Sequence, residues 1–291
     1  MGKVMVQVLG TAQDAGVPQP NCYCMNCTKA IEDTLWKRRA ASLAVVMPED
    51  KQWHLIDASP DFKEQVVMLQ RRFGLEGRVM DSIWLTHAHI GHYPGLMYLG
   101  KEAMSTSDVP VYAGRKMKHM LETNVPWRQL TDLGNIQVSE ITDGNSVRLT
   151  GGVRITPFDV PHRNEFSETF GFRIEGPEKT VAYIPDIDSW DEWEVDVAEV
   201  CKDADICMLD ATFFSAADLS DSGRSDRDVR DIPHPFITET VDRLKAIAGE
   251  TEVYFTHFNH SNPVLDPASE ARLFVEENGF RIAEEGMVLE I

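Results

Sequence analysis

The sequence predicts an α/β protein whose sheets and helices pack in layers. Short apolar segments with the length and composition of β-strands recur along the chain. Helical patterns, with apolar residues three or four positions apart, lie between some of these segments. The chain has no internal repeat, no low-complexity tract and no linker long enough to divide it, so we expect residues 1–291 to form a single domain.

The strands are predicted from apolar runs and the helices from apolar faces. The strands cover Val4–Leu9, Leu43–Met47, Trp53–Asp57, Ser82–Thr86, Val109–Ala113, Val153–Val160, Phe170–Ile174, Val181–Ile184, Asp205–Asp210, Glu252–Thr256 and Met287–Ile291. One helix begins after Ser59 and Pro60 and ends at Gly74. A second carries Ile237, Val241, Leu244 and Ile247 on one face and ends at Gly249. A third covers residues 270–278.

Composition restricts the partners of the chain. The formal net charge is −19, and an acidic surface repels a phosphate backbone, so we expect no nucleic-acid partner. No apolar run reaches the roughly 18 residues of a membrane span, and the start MGKVMVQVLG is strand-like rather than a signal peptide. We therefore expect no membrane partner and a cytoplasmic location.

One stretch, Ser215–Asp231, is polar, charged and weakly patterned. We expect a solvated loop there, and an active-site lid is the alternative.

Three histidines occupy six positions of THAHIGHYPGL, residues 86–96, directly after an apolar strand. The spacing of His87 and His89 at a strand end lets both imidazoles converge on one ion, and His92 reaches from the following turn. Imidazole is a natural ligand of zinc and iron. Hydrogen-bonded histidines without a metal are the less favoured alternative.

Further ligand-type residues follow other predicted strands. His162 comes after Val153–Val160, and Asp186 follows Val181–Ile184. His257 follows Glu252–Thr256. Alone, His162 or Asp186 would as readily be structural, but together with the triple-histidine loop they predict a metal site on one edge of a sheet sandwich.

A second metal site is predicted near the N-terminus. The five cysteines are an odd number, which argues against a disulfide framework. Three of them, Cys22, Cys24 and Cys27, are clustered, which in a reducing compartment is typical of metal binding. A tetrahedral structural zinc needs a fourth ligand, and His260 is the best supplier. We expect a zinc-binding loop at about residues 20–30, with a redox or iron–sulfur role as the alternative.

These residues resemble the pattern of the metallo-β-lactamase superfamily, which is His-x-His-x-Asp-His followed by a later His, an Asp and a final His. The chain further resembles the branch that contains the pyrroloquinoline-quinone (PQQ) biosynthesis protein B. That similarity is carried by NCYCMNC at 21–27, DASPDF at 57–62, VPHRNEFSETFGFRI at 160–174, YIPDID at 183–188 and HSNPVLD at 260–266. A related branch, the cyclic phosphodiesterase of the carbon–phosphorus lyase pathway, shares the N-terminal cysteines and the paired C-terminal histidines.

The resemblance implies a four-layer αββα sandwich with metals at one edge between the two sheets. It implies that the first metal takes His87, His89 and His162, and that the second takes His92, His257 and a bridging Asp186. It also implies that His260 completes the cysteine site.

Gly91 departs from the family pattern, which has a metal-ligating Asp at that position. The second metal then keeps three ligands, two histidines and one carboxylate, which still suffice for a divalent ion. Either the second metal is weak or absent, or the site is adapted to another metal such as iron. We therefore expect one structural Zn²⁺ and one or two catalytic divalent ions, which are Zn²⁺, Mn²⁺ or Fe²⁺.

Four other residues near these motifs have two interpretations each. Asp57 and Asp61 either hold a ligand histidine by its free N–H or serve as turn and cap residues. Arg163 and Glu165 either bind a charged substrate group at the mouth of the site or form an ion pair with each other.

His234 matches a histidine of the PQQ biosynthesis branch, and either contacts substrate or lies on the surface. We assign catalytic roles to Asp186, His162 and His234.

The first hypothesis is a hydrolase that uses a metal-activated water on an ester, lactone, amide or cyclic phosphodiester. The resemblance also allows a non-haem iron oxygenase or hydroxylase, and a non-catalytic metal-stabilised binding or carrier protein is the third hypothesis. The expected partner is a small-molecule or peptide-derived substrate, and the sequence leaves a homodimer open.

Overall fold

The computed structural model describes residues 2–219 and 233–291. Its strands are β1 (Met5–Gly10), β2 (Ser42–Met47), β3 (Gln52–Ile56), β4 (Ser82–Trp84), β5 (Val109–Ala113), β6 (Ile136–Glu140), β7 (Val147–Arg148), β8 (Arg154–Asp159), β9 (Phe170–Glu175), β10 (Thr180–Ile184), β11 (Ile206–Asp210), β12 (Glu252–Thr256), β13 (Arg281–Ile282) and β14 (Val288–Glu290). Its α-helices are α1 (Met25–Glu32), α2 (Phe62–Phe73), α3 (Arg115–Thr123), α4 (Val125–Asp132), α5 (Val197–Lys202), α6 (Ile237–Leu244) and α7 (Glu270–Glu277). Short 3₁₀ helices cover Thr34–Trp36, Pro94–Leu99, Thr150–Gly152, Ala216–Leu219, Lys245–Ile247 and Pro263–Leu265.

The strands of the described residues form two sheets, each of seven strands. The first sheet has the order β14-β1-β2-β3-β4-β5-β6, and the second has the order β13-β12-β11-β10-β9-β8-β7. Strands β3 to β6 are parallel, and so are β10 to β13, whereas the remaining pairs are antiparallel. Each sheet therefore combines a parallel half with an antiparallel half.

Three apolar cores separate four layers. The core between the two sheets contains Val45, Trp84 and Phe172. A second core packs the outer face of the first sheet against α2, α3 and α4, and a third packs the outer face of the second sheet against α5, α6 and α7. The chain thus has the four-layer αββα arrangement that the resemblance implies.

The burial of β2 explains why its sequence is apolar at every position. Val45 points into the core between the sheets, and Ala44 and Val46 belong to the core under the helices. A strand that is buried on both faces has a continuous apolar run instead of an alternating one.

The predicted helices are present. The first is α2, and it ends at Gly74, whose φ of 64° closes the helix in the left-handed region. The second is α6, which continues as the 3₁₀ turn Lys245–Ile247, and the third is α7. Of the predicted polar loop, residues 220–231 lie outside the described residues. No helix among the described residues is both long enough and apolar enough to span a bilayer.

Polar residues follow the central strands at one shared edge. In the first sheet β3 and β4 are parallel, so their carboxyl ends lie at the same edge of that sheet. In the second sheet the carboxyl ends of β10, β11 and β12 lie at one edge for the same reason. Asp57, directly after β3, and His257, directly after β12, both have a φ of 61°, which is in the left-handed region. L-residues adopt this conformation only where the surrounding structure imposes it.

Candidate metal centre

The histidine loop begins at the carboxyl end of β4. Hydrogen bonds hold it in place: the N–H of His92 donates to the carbonyl of His89 at 3.0 Å, and the N–H of Ala88 donates to Ser167 Oγ at 2.8 Å. His87 and His92 are buried, and His89 is partly exposed. The loop thus brings its three imidazoles together, with the ring centroids of His89 and His92 at 4.5 and 4.1 Å from that of His87.

Residues of the second sheet meet this loop. Nε2 of His162 lies 3.0 Å from Nδ1 of His89 and 3.3 Å from Oδ1 of Asp186. Oδ2 of Asp186 lies 3.3 Å from Nε2 of His87. One ligand-type atom of each of His87, His89, His162 and Asp186 falls within 4.8 Å of all the others. These four side chains, which the sequence places after three different strands, converge on one point.

The inward atoms of this centre fit a metal ion. Nε2 of His87, Nε2 of His92, Nε2 of His257 and Oδ1 of Asp186 are buried and have no hydrogen-bond partner. Leaving a buried polar atom unpaired costs about 1–3 kcal/mol, so several together at one point are improbable without a ligand. Neutral imidazole nitrogens and a carboxylate are the donor set that zinc and similar divalent ions take.

The outward nitrogens of the histidines are held by hydrogen bonds. Nδ1–H of His92 donates to Oδ2 of Asp57 at 2.7 Å, and Nδ1–H of His162 donates to Oδ1 of Asp188 at 2.7 Å. Nδ1–H of His87 donates to Thr86 Oγ1 at 3.0 Å. Such bonds fix the tautomer, so that the opposite nitrogen carries the lone pair toward the centre.

Electrostatics favour neutral His87 and His89, a protonated His162 and a charged Asp186 when no metal is bound. Burial lowers the pKa of His87 well below its usual range and that of His89 to about 4. Burial also disfavours charge on His162, but Asp186 and Asp188 raise its pKa to about 10. Although burial disfavours charge on Asp186, the surrounding histidines, His162 above all, hold its pKa well below its usual range.

A second group of ligand-type residues shares Asp186. It consists of Asp186, Asp210, His234 and His257, again with atoms within 4.8 Å of one another. His92, which the resemblance assigns to the second metal, stands beside this group, with its Nε2 3.7 Å from Oδ2 of Asp186. Nε2 of His257 is 3.6 Å from the same oxygen. The structure therefore adds Asp210 and His234 to the surroundings of the second position.

Asp210 is occupied by protein donors. Its Oδ1 accepts the N–H and the hydroxyl of Thr212, both at 2.8 Å. Its Oδ2 accepts the N–H of Ile187 at 3.0 Å and Nδ1–H of His234 at 2.8 Å. Nδ1 of His257 bonds Thr212 Oγ1 at 3.1 Å, so Asp210 orients His257 through that hydroxyl. With four donors around it, Asp210 is a positioning residue rather than a free ligand.

Some residues singled out from the sequence lie elsewhere. The carboxylate of Asp61 accepts the N–H of Ala40 at 2.8 Å and makes no hydrogen bond to a histidine among the described residues. Arg163 and Glu165 pair with each other at 3.1 Å, with about half of each side chain exposed. Asp57 by contrast lies beneath the histidine loop, fully buried.

Several residues that hold the centre were not predicted from the sequence. Asp188 lies in the YIPDID segment, two positions after Asp186, and Asp210 ends the strand next to β10. An acidic residue at the end of each neighbouring parallel strand is the pattern that would have found them. Thr86 and Thr212 carry no such pattern, because a threonine after a strand is common in any protein.

The cysteine cluster forms a separate centre. Nδ1 of His260 lies 3.3 Å from Sγ of Cys22, 3.4 Å from Sγ of Cys24 and 3.6 Å from Sγ of Cys27. A tetrahedral zinc with ordinary bond lengths separates its nitrogen and sulfur ligands by about 3.5 Å. Burial raises the pKa of Cys24, and it raises that of Cys27 to about 12, so these thiols would be protonated without a cation. The four side chains fit a structural zinc.

Comparison with known proteins agrees with this geometry. Residues 52–258 match a family model described as the beta-lactamase superfamily domain. The coenzyme PQQ synthesis protein B of Methylobacterium sp. (strain 4-46) is 28% identical over 302 residues, which span 97% of this chain and 98% of that protein.

Two solved structures are similar along the full length. The Zn²⁺-bound PqqB from Methylobacterium extorquens has a TM-score of 0.82 at 25% identity and covers 99% of this chain and 100% of its own. A diphosphatase from the PhnP family has a TM-score of 0.69 at 24% identity, with 99% and 97% covered, and shares the fold.

Proposed function

Because the chain belongs to the beta-lactamase superfamily, we propose that it is a metal-dependent hydrolase of a small-molecule or peptide-derived substrate. The convergence of buried ligand atoms without hydrogen-bond partners at the shared sheet edge supports this proposal above all. A bound divalent ion supplies a Lewis acid that lowers the pKa of water and polarises the bond to be cleaved.

Some residues of the chain would bind that ion, and others orient the residues that bind it. His87, His89, His162 and Asp186 would hold the first ion. Asp57 and Asp188 keep His92 and His162 in the required tautomer. The zinc in the similar PqqB structure favours Zn²⁺, with Mn²⁺ as the other hydrolytic candidate.

His234 would carry a proton during cleavage. Its Nδ1–H is fixed by Asp210, and the ring stands between His162 and His257, with centroid distances of 5.8 and 6.0 Å. Although burial disfavours its charge, Asp210 raises the pKa of His234, so the imidazole is able to hold a proton near neutral pH. A histidine oriented by a carboxylate is suited to donate that proton to a leaving group.

An acidic groove beside His162 indicates the substrate class. The groove has a volume of about 570 Å³ and is lined by Asp143, Asp159, Glu168, Glu192 and Glu194. The stacked rings of Phe158 and Trp193 form its apolar wall, with centroids 6.0 Å apart. No lysine or arginine is among the described residues that line it. This favours a neutral or cationic ester, lactone or amide over an anionic phosphodiester.

Hydrolysis of chromogenic esters, amides and phosphodiesters under anaerobic conditions tests the proposal. The protein should turn over an uncharged or cationic ester without oxygen, and His87→Ala should lose at least about 100-fold of that activity together with bound metal. His119→Ala, in the exposed face of α3, is the matched control and should retain both. Activity that survives His87→Ala would contradict the proposal.

An iron-dependent oxygenase is the second candidate, because the similarity to PQQ synthesis protein B extends over nearly the whole of both chains. In that case protein loaded with Fe²⁺ would consume oxygen only when substrate is present. A carrier protein, the third alternative, would bind a small molecule without turnover, and His87→Ala would leave that binding intact.

We also propose that the chain is a single domain that acts in the cytoplasm. Cys22, Cys24 and Cys27 are gathered around His260 as free thiols, as expected in a reducing compartment. Fractionation of cells that express the protein, with a disulfide assay, tests this location.

A further inference from the structure

Asp14 lies in the turn that follows β1, next to the last ligand strand. The turn is held to the residue after His257: the N–H of Gln13 donates to the carbonyl of Phe258 at 2.8 Å, and the N–H of Phe258 donates to the carbonyl of Thr11 at 2.8 Å. These bonds fix Asp14 beside the edge of the centre where His257 lies.

Asp14 also fills the space in front of Gly91. A Cβ atom on Gly91 would overlap Oδ1 of Asp14 and lie 2.5 Å from its Cα. No real Cβ atom makes such a contact with a neighbouring main chain, so position 91 accepts only glycine while the turn stays in place. The carboxylate that cannot stand on residue 91 therefore has a counterpart in the same space, supplied by residue 14.

The carboxylate of Asp14 also lies close enough to His89, His92 and His257 to interact with them electrostatically. Its side chain makes no hydrogen bond to any other described residue, and Nε2 of His92 and Nε2 of His257 are buried without partners.

We propose that Asp14 replaces the aspartate absent at position 91 and is the carboxylate ligand of a second divalent ion, together with His92, His257 and Asp186. A carboxylate completes the nitrogen and oxygen donor set that such an ion requires. This inference rests on the proposed function, since it concerns the same centre. Gly91 is then not a loss of the second metal but the space that lets another segment serve it.

Metal stoichiometry measures this directly, without an activity assay. Protein stripped by chelator is dialysed against Zn²⁺, and bound metal is counted per chain and titrated with a competing chelator. The full chain should bind three ions, one of them at the cysteines. Asp14→Asn, which keeps the shape and removes the charge, should bind two, or hold the weakest ion at least about 100-fold less tightly. Asp14→Glu should recover part of that affinity.

Two further variants complete the design. Asp50→Asn, in the exposed turn between β2 and β3, removes the same charge at the opposite end of β3 and should bind three ions. Gly91→Ala should lose the same ion as Asp14→Asn, because its methyl group displaces the Asp14 turn.

The possible ion counts distinguish the role of Asp14 from the proposed function. Three ions with unchanged affinity in Asp14→Asn would overturn the role of Asp14. Only two ions in the full chain, one of them at the cysteines, would also overturn it, yet would leave a hydrolase with a single catalytic ion. No ion at the histidines would overturn both this inference and the proposed function.

Discussion

The carboxylate of Asp57 accepts a hydrogen bond from Nδ1 of His92 at 2.7 Å, and both side chains are at most 1% exposed. The same carboxylate accepts the N–H and the hydroxyl of Thr86, and Thr86 in turn accepts Nδ1–H of His87. One buried carboxylate thus orients two histidines of the centre, one directly and one through a hydroxyl.

Asp57→Asn should therefore weaken metal binding while the fold persists. Losing a partner of a ligand histidine typically reduces metal affinity by about 10- to 100-fold. Competition with a chromogenic chelator measures this change. Asp81→Asn is the control, because the carboxylate of Asp81 accepts the N–H of Trp53 at the amino end of β4, away from the centre, and its replacement should leave affinity unchanged. Equal affinity in both variants would count against the orienting role.

His234→Asn should slow catalysis without removing metal. Nδ1–H of His234 is engaged by Asp210, so its function in our proposal is proton transfer, which contributes roughly 10²- to 10⁴-fold to a rate. The expected result is a fall in kcat of that order with an unchanged metal count. A fall in metal content instead would make His234 a ligand and not a proton carrier.

Cys27→Ser should remove one zinc ion and destabilise the fold. The cysteine site joins residues 22–27 to His260, and cross-links that close such long loops stabilise by roughly 3–5 kcal/mol. Thermal unfolding should then occur on the order of 10 °C lower. Cys201→Ala, at a buried cysteine of α5, should keep the full zinc content. Retention of that zinc by Cys27→Ser would exclude the assignment.

His54 should make the folded state sensitive to acid independently of the metals. Burial lowers its pKa from 6.5 to about 4, so the unfolded chain binds a proton that the folded chain does not between these pH values. Its contribution is complete above about pH 6.5 and is lost as the pH falls to about 4, on the order of 3 kcal/mol.

Denaturant unfolding of the metal-loaded protein across this pH range, compared with His54→Gln, measures that contribution. The variant should show a shallower fall in the free energy of unfolding. Parallel pH curves would contradict the assignment.

Much of the fold could be predicted from the sequence because most central strands are buried on both faces. The segment Leu43–Met47 is apolar throughout, and the structure extends it by one residue to β2. The missed strands are β6, β7 and β13. Strands β7 and β13 have two residues each, too few for any period to appear, and β6 mixes buried and exposed positions at the end of its sheet.

The candidate site could likewise be predicted only in part from the sequence. Ligand-type histidines at strand ends are visible in sequence, because a histidine after an apolar run is unusual. Asp14 is not visible, since only the folding of the β1 turn against Gly91 brings it to the centre. Asp210 ends a predicted strand, but its role depends on the parallel pairing of β10 with β11, which brings that strand end next to the end of β10.

The left-handed backbone conformation of Asp57 and His257 lowers the free energy of unfolding of this protein. Each is the first residue after a strand, β3 in one sheet and β12 in the other, and each such non-glycine residue costs on the order of 1–3 kcal/mol. Glycine would relax both positions, at the loss of a carboxylate and an imidazole. Backbone relaxation and metal binding are therefore opposed at these two positions, and the strained conformation is retained together with the side chains that the centre needs.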